Sequence, residues 1–159
     1  MMPLLAAALL TVPPTTYTLI PDSSDDIKVA VNQTVRHMSF ITRPIARGRL
    51  NKTNPLPQHM QVTLGADTLA VAFDDGNPVI TPLDGNTVPW QSSLTHEEYQ
   101  AHAERRGDTT AQVIVAPDGE RKNEYRFTDN GARLELRVTV SSHRLPRPLI
   151  YTLRFRRDT

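Results

Sequence analysis

Ala111-Gln-Val-Ile-Val-Ala-Pro-Asp-Gly-Glu-Arg-Lys-Asn-Glu-Tyr-Arg-Phe-Thr-Asp-Asn-Gly-Ala-Arg-Leu-Glu-Leu-Arg-Val-Thr-Val140 decides the fold. It holds three strand-length runs of period two. Ala111, Val113 and Val115 alternate along the first. Asn123, Tyr125 and Phe127 alternate with Lys122, Glu124 and Arg126. Leu134, Leu136, Val138 and Val140 alternate with Arg133, Glu135, Arg137 and Thr139. Pro117-Asp118-Gly119 and Asp129-Asn130-Gly131 separate the runs, and such Gly-containing polar turns tolerate the positive φ of tight hairpins.

The same rhythm extends both ways. Upstream lie Gln61–Leu64, Leu69–Phe73, Val79-Ile80, Val88–Trp90 and Tyr99–Glu104; downstream lies Leu149–Arg156. A spacing of about ten residues per strand leaves no room for crossover helices, so the order is an antiparallel meander. The predicted fold is mainly β, with about eight to nine strands closing into a barrel.

One amphipathic helix is expected before the barrel, over residues 23–42. Asp22, Ser23 or Ser24 can cap it, and Ile27, Ala30, Val31, Thr34, Met38 and Ile41 recur at spacings of three and four. Pro44 is expected to stop it. A second short turn of helix around Ile45–Leu50 is a weaker signal. The helix covers an end or side of the barrel. Residues 13–21, with Pro13, Pro14 and Pro21, read as an extended linker. The expected organisation is a signal-like segment and linker over residues 1–21 and one domain over residues 22–159.

The uncharged apolar run from Leu4 to Val12 has the length of an export signal's hydrophobic region and is too short to span a bilayer. The expectation is export, periplasmic or secreted, with cleavage near residues 13–20 and no transmembrane span. With no Cys in the chain, a disulfide framework, a thiolate metal site and a Cys nucleophile are excluded.

A net formal charge of +1 hides strong segregation. Residues 36–57 contain Arg36, Arg43, Arg47, Arg49 and Lys52 and no acid, whereas residues 58–116 are acidic and residues 117–159 basic again. Arginine forks suit carboxylate or phosphate. A nucleic-acid partner would need a markedly basic domain with exposed aromatics, and none is expected. His96 and His102 stand about 20 Å apart on an extended strand, so they cannot share a metal. No metal or other cofactor is predicted. Ser92, Ser93, Ser141 and Ser142 lack a nucleophile-elbow context, and no acid–base constellation marks a hydrolase or isomerase. The chain is read as leaning away from catalysis.

Residues 116–140 resemble the late strands of calycin-type barrels, the lipocalin-like and fatty-acid-binding-protein-like folds. Arg43-Pro-Ile-Ala-Arg-Gly-Arg-Leu and Ser141-Ser-His-Arg-Leu-Pro-Arg-Pro-Leu resemble elements of exported bacterial barrel proteins. Two departures stand out. A lipocalin carries Gly-x-Trp on its first strand, whereas Trp90 follows Val88-Pro89 well inside the sheet. Fatty-acid-binding-like proteins place two helices between their first two strands, whereas here the helix is read as coming first.

The first reading of the residues is a small exported barrel, monomeric, that binds an amphipathic or anionic small molecule. Its candidate contacts are Arg43, Arg47 and Arg49 at the mouth and Phe73, Trp90, Tyr99 and Tyr125 inside, with Leu69, Val71, Leu136 and Val138 as further wall. The alternative is a filled barrel whose basic face, Arg36 to Lys52, meets an acidic protein or a membrane surface. An apolar cavity of about 300 Å³ or more separates the two.

Overall fold

The computed structural model describes residues 10–159. Most of the apolar run Leu4–Val12 lies outside the described residues. Ten strands form one antiparallel sheet: β1 (Val12–Leu19), β2 (His59–Leu64), β3 (Thr68–Phe73), β4 (Val79–Pro82), β5 (Val88–Gln91), β6 (Glu98–Arg106), β7 (Thr109–Ala116), β8 (Gly119–Thr128), β9 (Arg133–Ser142) and β10 (Leu149–Arg157). Their spatial order is β4-β3-β2-β1-β10-β9-β8-β7-β6-β5, so the sheet curls into a barrel left unpaired only between β4 and β5. Side chains bridge that gap. Gln112 on β7 donates through Nε2 to Thr81 Oγ1 at 3.0 Å and to the Val79 carbonyl at 3.3 Å on β4.

The tenth strand, β1, corrects the linker reading of residues 13–21. Val12 pairs with Leu64 and Thr15 with Val62, so Pro13 and Pro14 occupy a register shift where the ladder is already interrupted. A bulge needs no amide donor there, which is how two prolines enter a strand flanked on both sides. β1 also pairs with β10, through Tyr17–Arg157 and Leu19–Phe155, and so joins the two halves of the meander.

The single leading helix is likewise corrected. Two helices, α1 (Ile27–Val35) and α2 (Thr42–Thr53), lie between β1 and β2. Asp26 caps α1, its Oδ1 accepting from the amides of Lys28 and Val29 at 2.9 and 3.3 Å. The apolar stripe buries Ile27, Val31 and Val35 against the barrel. The break at residues 36–41 has a local cause: Ser39 Oγ accepts from the Thr42 amide at 3.2 Å and the Ser39 carbonyl from the Arg43 amide at 2.9 Å, starting a new helix. Pro44 then falls in the first turn of α2, where a missing N–H costs nothing, so it starts a helix instead of ending one. The weak signal around Ile45–Leu50 belongs to α2.

Among the described residues no helix is long and apolar enough to cross a membrane. On the last strand Arg154 and Arg156 are exposed, opposite the buried Leu149, Tyr151, Leu153 and Phe155.

Candidate functional site

A cavity of about 940 Å³ occupies the end of the barrel under α2. Its rim is made by the β3–β4, β5–β6, β7–β8 and β9–β10 turns, and its wall by inward positions of β8, β9 and β10. At the rim Gly119 is indispensable: a Cβ there would lie 2.1 Å from the Ser141 carbonyl oxygen, so only glycine lets the β7–β8 turn lie against β9.

Period two along β8 places Arg121, Asn123, Tyr125 and Phe127 on the inner face. Arg121 enters the cavity with three neutral partners. Its Nη1 donates to Asn54 Oδ1 at 2.7 Å, its Nη2 to the Tyr151 hydroxyl at 3.0 Å and its Nε to Asn123 Oδ1 at 3.3 Å. The Tyr151 hydroxyl donates in turn to Asn54 Oδ1 at 3.0 Å. None of the four ion pairs among the described residues, counted to 4.0 Å, includes Arg121. A guanidinium has five N–H donors and no acceptor, so this one holds its positive charge against amides and a phenol beside an apolar wall.

Asn54, Asn123 and Tyr151 are each at most 3% exposed. Asn123 Nδ2 donates to the Tyr125 hydroxyl at 3.3 Å. Burial pushes the Tyr125 phenol well above its ordinary value; that hydrogen bond and the Arg121 charge pull it partly back. Tyr125 is therefore neutral throughout the physiological range.

Apolar contact surface comes from Phe73, Trp90, Leu136 and Val138. Trp90 and Tyr99, paired across β5 and β6, stack with ring centroids 6.1 Å apart. The Tyr99 hydroxyl donates to Glu97 Oε2 at 2.9 Å and also touches Thr95 Oγ1 at 3.1 Å. Burial is the main cause raising its pKa, with Glu97 adding to it and the Thr95 hydroxyl opposing. No group of three or more His, Asp or Glu side chains converges among the described residues in the way a metal ion needs.

The structure brings together Arg49, Phe73, Trp90 and Tyr99 of the sequence-derived contacts, with Leu136 and Val138 of the further wall. It separates the others from the cavity. Arg43 Nη2 donates to the Met38 carbonyl at 2.8 Å, and Arg47 Nε to Asn32 Oδ1 at 2.9 Å on α1, so both fasten the helical pair. Tyr125 is fully buried behind Asn123, and Leu69 and Val71 belong to the filled part of the core. Sequence reading missed Arg121, Asn54 and Tyr151. Arg121 had a signal, since it shares the parity of Asn123, Tyr125 and Phe127. Asn54, alone at the end of a helix, had none.

The sequence matches no family model and no curated protein. Solved structures do match. The brain fatty-acid-binding protein of Drosophila melanogaster aligns with TM-score 0.55 and 15% identity, over 89% of this chain and 95% of that one. The Schistosoma mansoni fatty-acid-binding protein, solved with arachidonic acid, aligns with TM-score 0.56 and 13% identity, over 91% and 95%. Human cRBP IV aligns with TM-score 0.53 and 14% identity, over 91% and 96%. The fold is thus calycin-like, a barrel with two helices between its first two strands.

Proposed function

We propose that the barrel binds a small amphipathic molecule with an anionic headgroup, held at Arg121 and Tyr151, its apolar part lying along Leu136, Val138, Phe73 and Trp90. The observation that carries this is the Arg121 guanidinium, set in a mainly apolar cavity with only neutral hydrogen-bond partners, while the carboxylates of Asp74, Asp75, Asp118 and Glu120 in the lining form no ion pair with it. A charge so placed gains most from an oxyanion, because charge-assisted hydrogen bonds are about twice as strong as neutral ones. A volume of about 940 Å³ favours a ligand-holding barrel over a filled one. The Schistosoma neighbour's arachidonic acid, a carboxylate on a long apolar chain, has this chemistry.

Titration calorimetry with dodecanoate and dodecanol tests it, with Trp90 fluorescence as a second readout. Wild type binds dodecanoate more tightly than dodecanol. Arg121→Met weakens dodecanoate by about tenfold or more and leaves dodecanol unchanged. Equal binding of both probes by wild type overturns the headgroup assignment.

The outside of the helical pair supports a second reading, docking on an anionic membrane. Phe40 and Ile41 are 80 and 66% exposed, and the exposed Arg36 and Lys52 stand on the same segment. Apolar tips ringed by cations suit a lipid surface bearing negative charge. Sedimentation with phosphatidylcholine vesicles, with and without phosphatidylserine, tests it. Binding only to the anionic vesicles, lost in Phe40→Asp, is expected; no binding to either favours an acidic protein as partner.

We propose export as well, on the apolar run at the N-terminus. The paired strand β1 then requires cleavage upstream of Val12, earlier than the sequence alone suggested. N-terminal sequencing of the secreted form tests this, and a soluble cytoplasmic form with Met1 intact overturns it.

A further inference from the structure

Asn54 stands where lid and site meet. It ends α2, and its Nδ2 donates to the Leu50 carbonyl at 2.9 Å, one of the last-turn carbonyls that the helix itself leaves unpaired. Its Oδ1 takes both the Arg121 and the Tyr151 donors. The side chain is 3% exposed and lines two cavities at once, the main one and a second of about 470 Å³ bordered by Ser24, Asp25 and Asn51. One carboxamide thus joins the end of the lid helix to the two donors assigned to the ligand's headgroup.

We propose that Asn54 Oδ1 and the anionic headgroup compete for Arg121 and Tyr151, so that headgroup binding releases the C-terminal end of α2. This rests on the headgroup reading above. An anion outcompetes an amide oxygen for a guanidinium, since it adds a full charge to the same hydrogen bond. Displaced Asn54 then holds a buried acceptor without donors, which is unfavourable where it stands. The second cavity, where Ser24, Asp25 and Asn51 stand among apolar neighbours such as Leu19, Ile27 and Leu56, gives the carboxamide and the helix end a place to move. Asn54 is in this sense a specificity-determining residue: a ligand must bring a stronger acceptor than an amide to enter the site, so carboxylates and phosphates are selected over alcohols and esters.

Three measurements on the full chain test it. Asn54→Ala, which removes the competitor, binds dodecanoate about tenfold more tightly, and dodecanol binds more tightly too, since its hydroxyl then meets Arg121 and Tyr151 without displacing an amide. Asn54→Asp, which supplies a built-in carboxylate to Arg121, binds dodecanoate at least about tenfold more weakly. In wild type, amide hydrogen exchange at residues 50–54 speeds up when dodecanoate is added, a measurement that needs no variant to fold. Dodecanoate binding that Arg121→Met weakens but Asn54→Ala leaves equal or weaker overturns the competition while the headgroup reading stands. Slower or unaltered exchange at residues 50–54 overturns it as well. A wild type that does not bind dodecanoate overturns both.

Discussion

The two ends of the barrel are built from the same strands and serve opposite purposes. At the end away from α2, inward positions are large and interlocked: Tyr17, Leu69, Phe127, Leu134 and Phe155 are all at most 8% exposed. Tyr17 and Phe127 meet with ring centroids 6.2 Å apart, and the Tyr17 hydroxyl donates to the Gly131 carbonyl at 2.7 Å, tying β1 to the β8–β9 turn. Under α2 small and polar residues enter the inward positions, Ala116 on β7, Arg121 and Asn123 on β8 and Ser142 on β9, beside the apolar Ile114 and Val140. β8 makes the sharpest transition, reading Phe127, Tyr125, Asn123, Arg121 from filled end to cavity. Stability is concentrated at one end and binding at the other, and β8, β9 and β10 each run through both.

The largest expected effect breaks the filled end. Phe155 is fully buried and pairs with Leu134 on β9 and Leu19 on β1, at the seam of the meander. Phe155→Ala is expected to cost about 3–5 kcal/mol in urea unfolding. That is a large part of the roughly 5–15 kcal/mol that holds a domain of this kind together. A cost near 1 kcal/mol would mean that the two ends share the load and that the contrast between them is wrong.

The same contrast explains what was legible in the sequence. The meander was, because β8, β9 and β10 alternate charged and apolar residues with turn residues between them, and polarity alone tells inside from outside. On β7 it does not. Val113 and Val115 are apolar, yet Gln112 and Ile114 are the residues facing inward, so both faces look alike in sequence. β1 was hidden because Pro13 and Pro14 imitate a linker, and only the bulge shows how a strand accommodates them. The helix break was hidden because the apolar spacing runs on through Met38 and Ile41, while the start of the second helix is local, the Ser39 hydroxyl and carbonyl accepting from the Thr42 and Arg43 amides. Among site residues, an Arg-rich segment drew attention to Arg43 and Arg47. The cavity instead uses Arg121, which sits among so many charges on β8 that composition does not single it out, only its parity.

The next effect is smaller and has a definite sign. Tyr125 and Tyr17 both have phenol pKa values raised above the ordinary 10.0, chiefly by burial; the nearby Arg157 partly offsets the rise at Tyr17. Above about pH 10 the unfolded chain releases these protons while the folded chain keeps them. The folded state then binds more protons than the unfolded one, so stability falls as pH rises above 10 and is untouched by these groups below it. Thermal unfolding between pH 8 and pH 11, in round numbers, reads the slope. Tyr125→Phe is expected to flatten it more than Tyr17→Phe, because Tyr125 is the more strongly shifted of the two. The reverse order would place the most strongly desolvated phenol at the filled end.

The smallest expected effect is also the sharpest comparison, because the same atoms are removed at both ends. Val62 on β2 is 1% exposed and packed within the core, whereas Val140 on β9 is half-buried and borders the cavity. Truncation to Ala removes two methyl groups, worth about 0.8 kcal/mol each when fully buried, and in a packed site leaves a void that adds to the loss. Val62→Ala should therefore cost about 2 kcal/mol. At Val140 the neighbouring space already exists, so no new void forms and only part of the methyl surface leaves an apolar setting; the cost should stay under about 1 kcal/mol. Dodecanoate affinity should fall by less than about threefold in Val140→Ala, since the headgroup contacts are untouched and one small wall contact is lost. Equal stability losses at the two positions would show that the barrel wall is as tightly packed under α2 as at the far end, and a cavity able to take an acyl chain would then have to form by displacement of that wall.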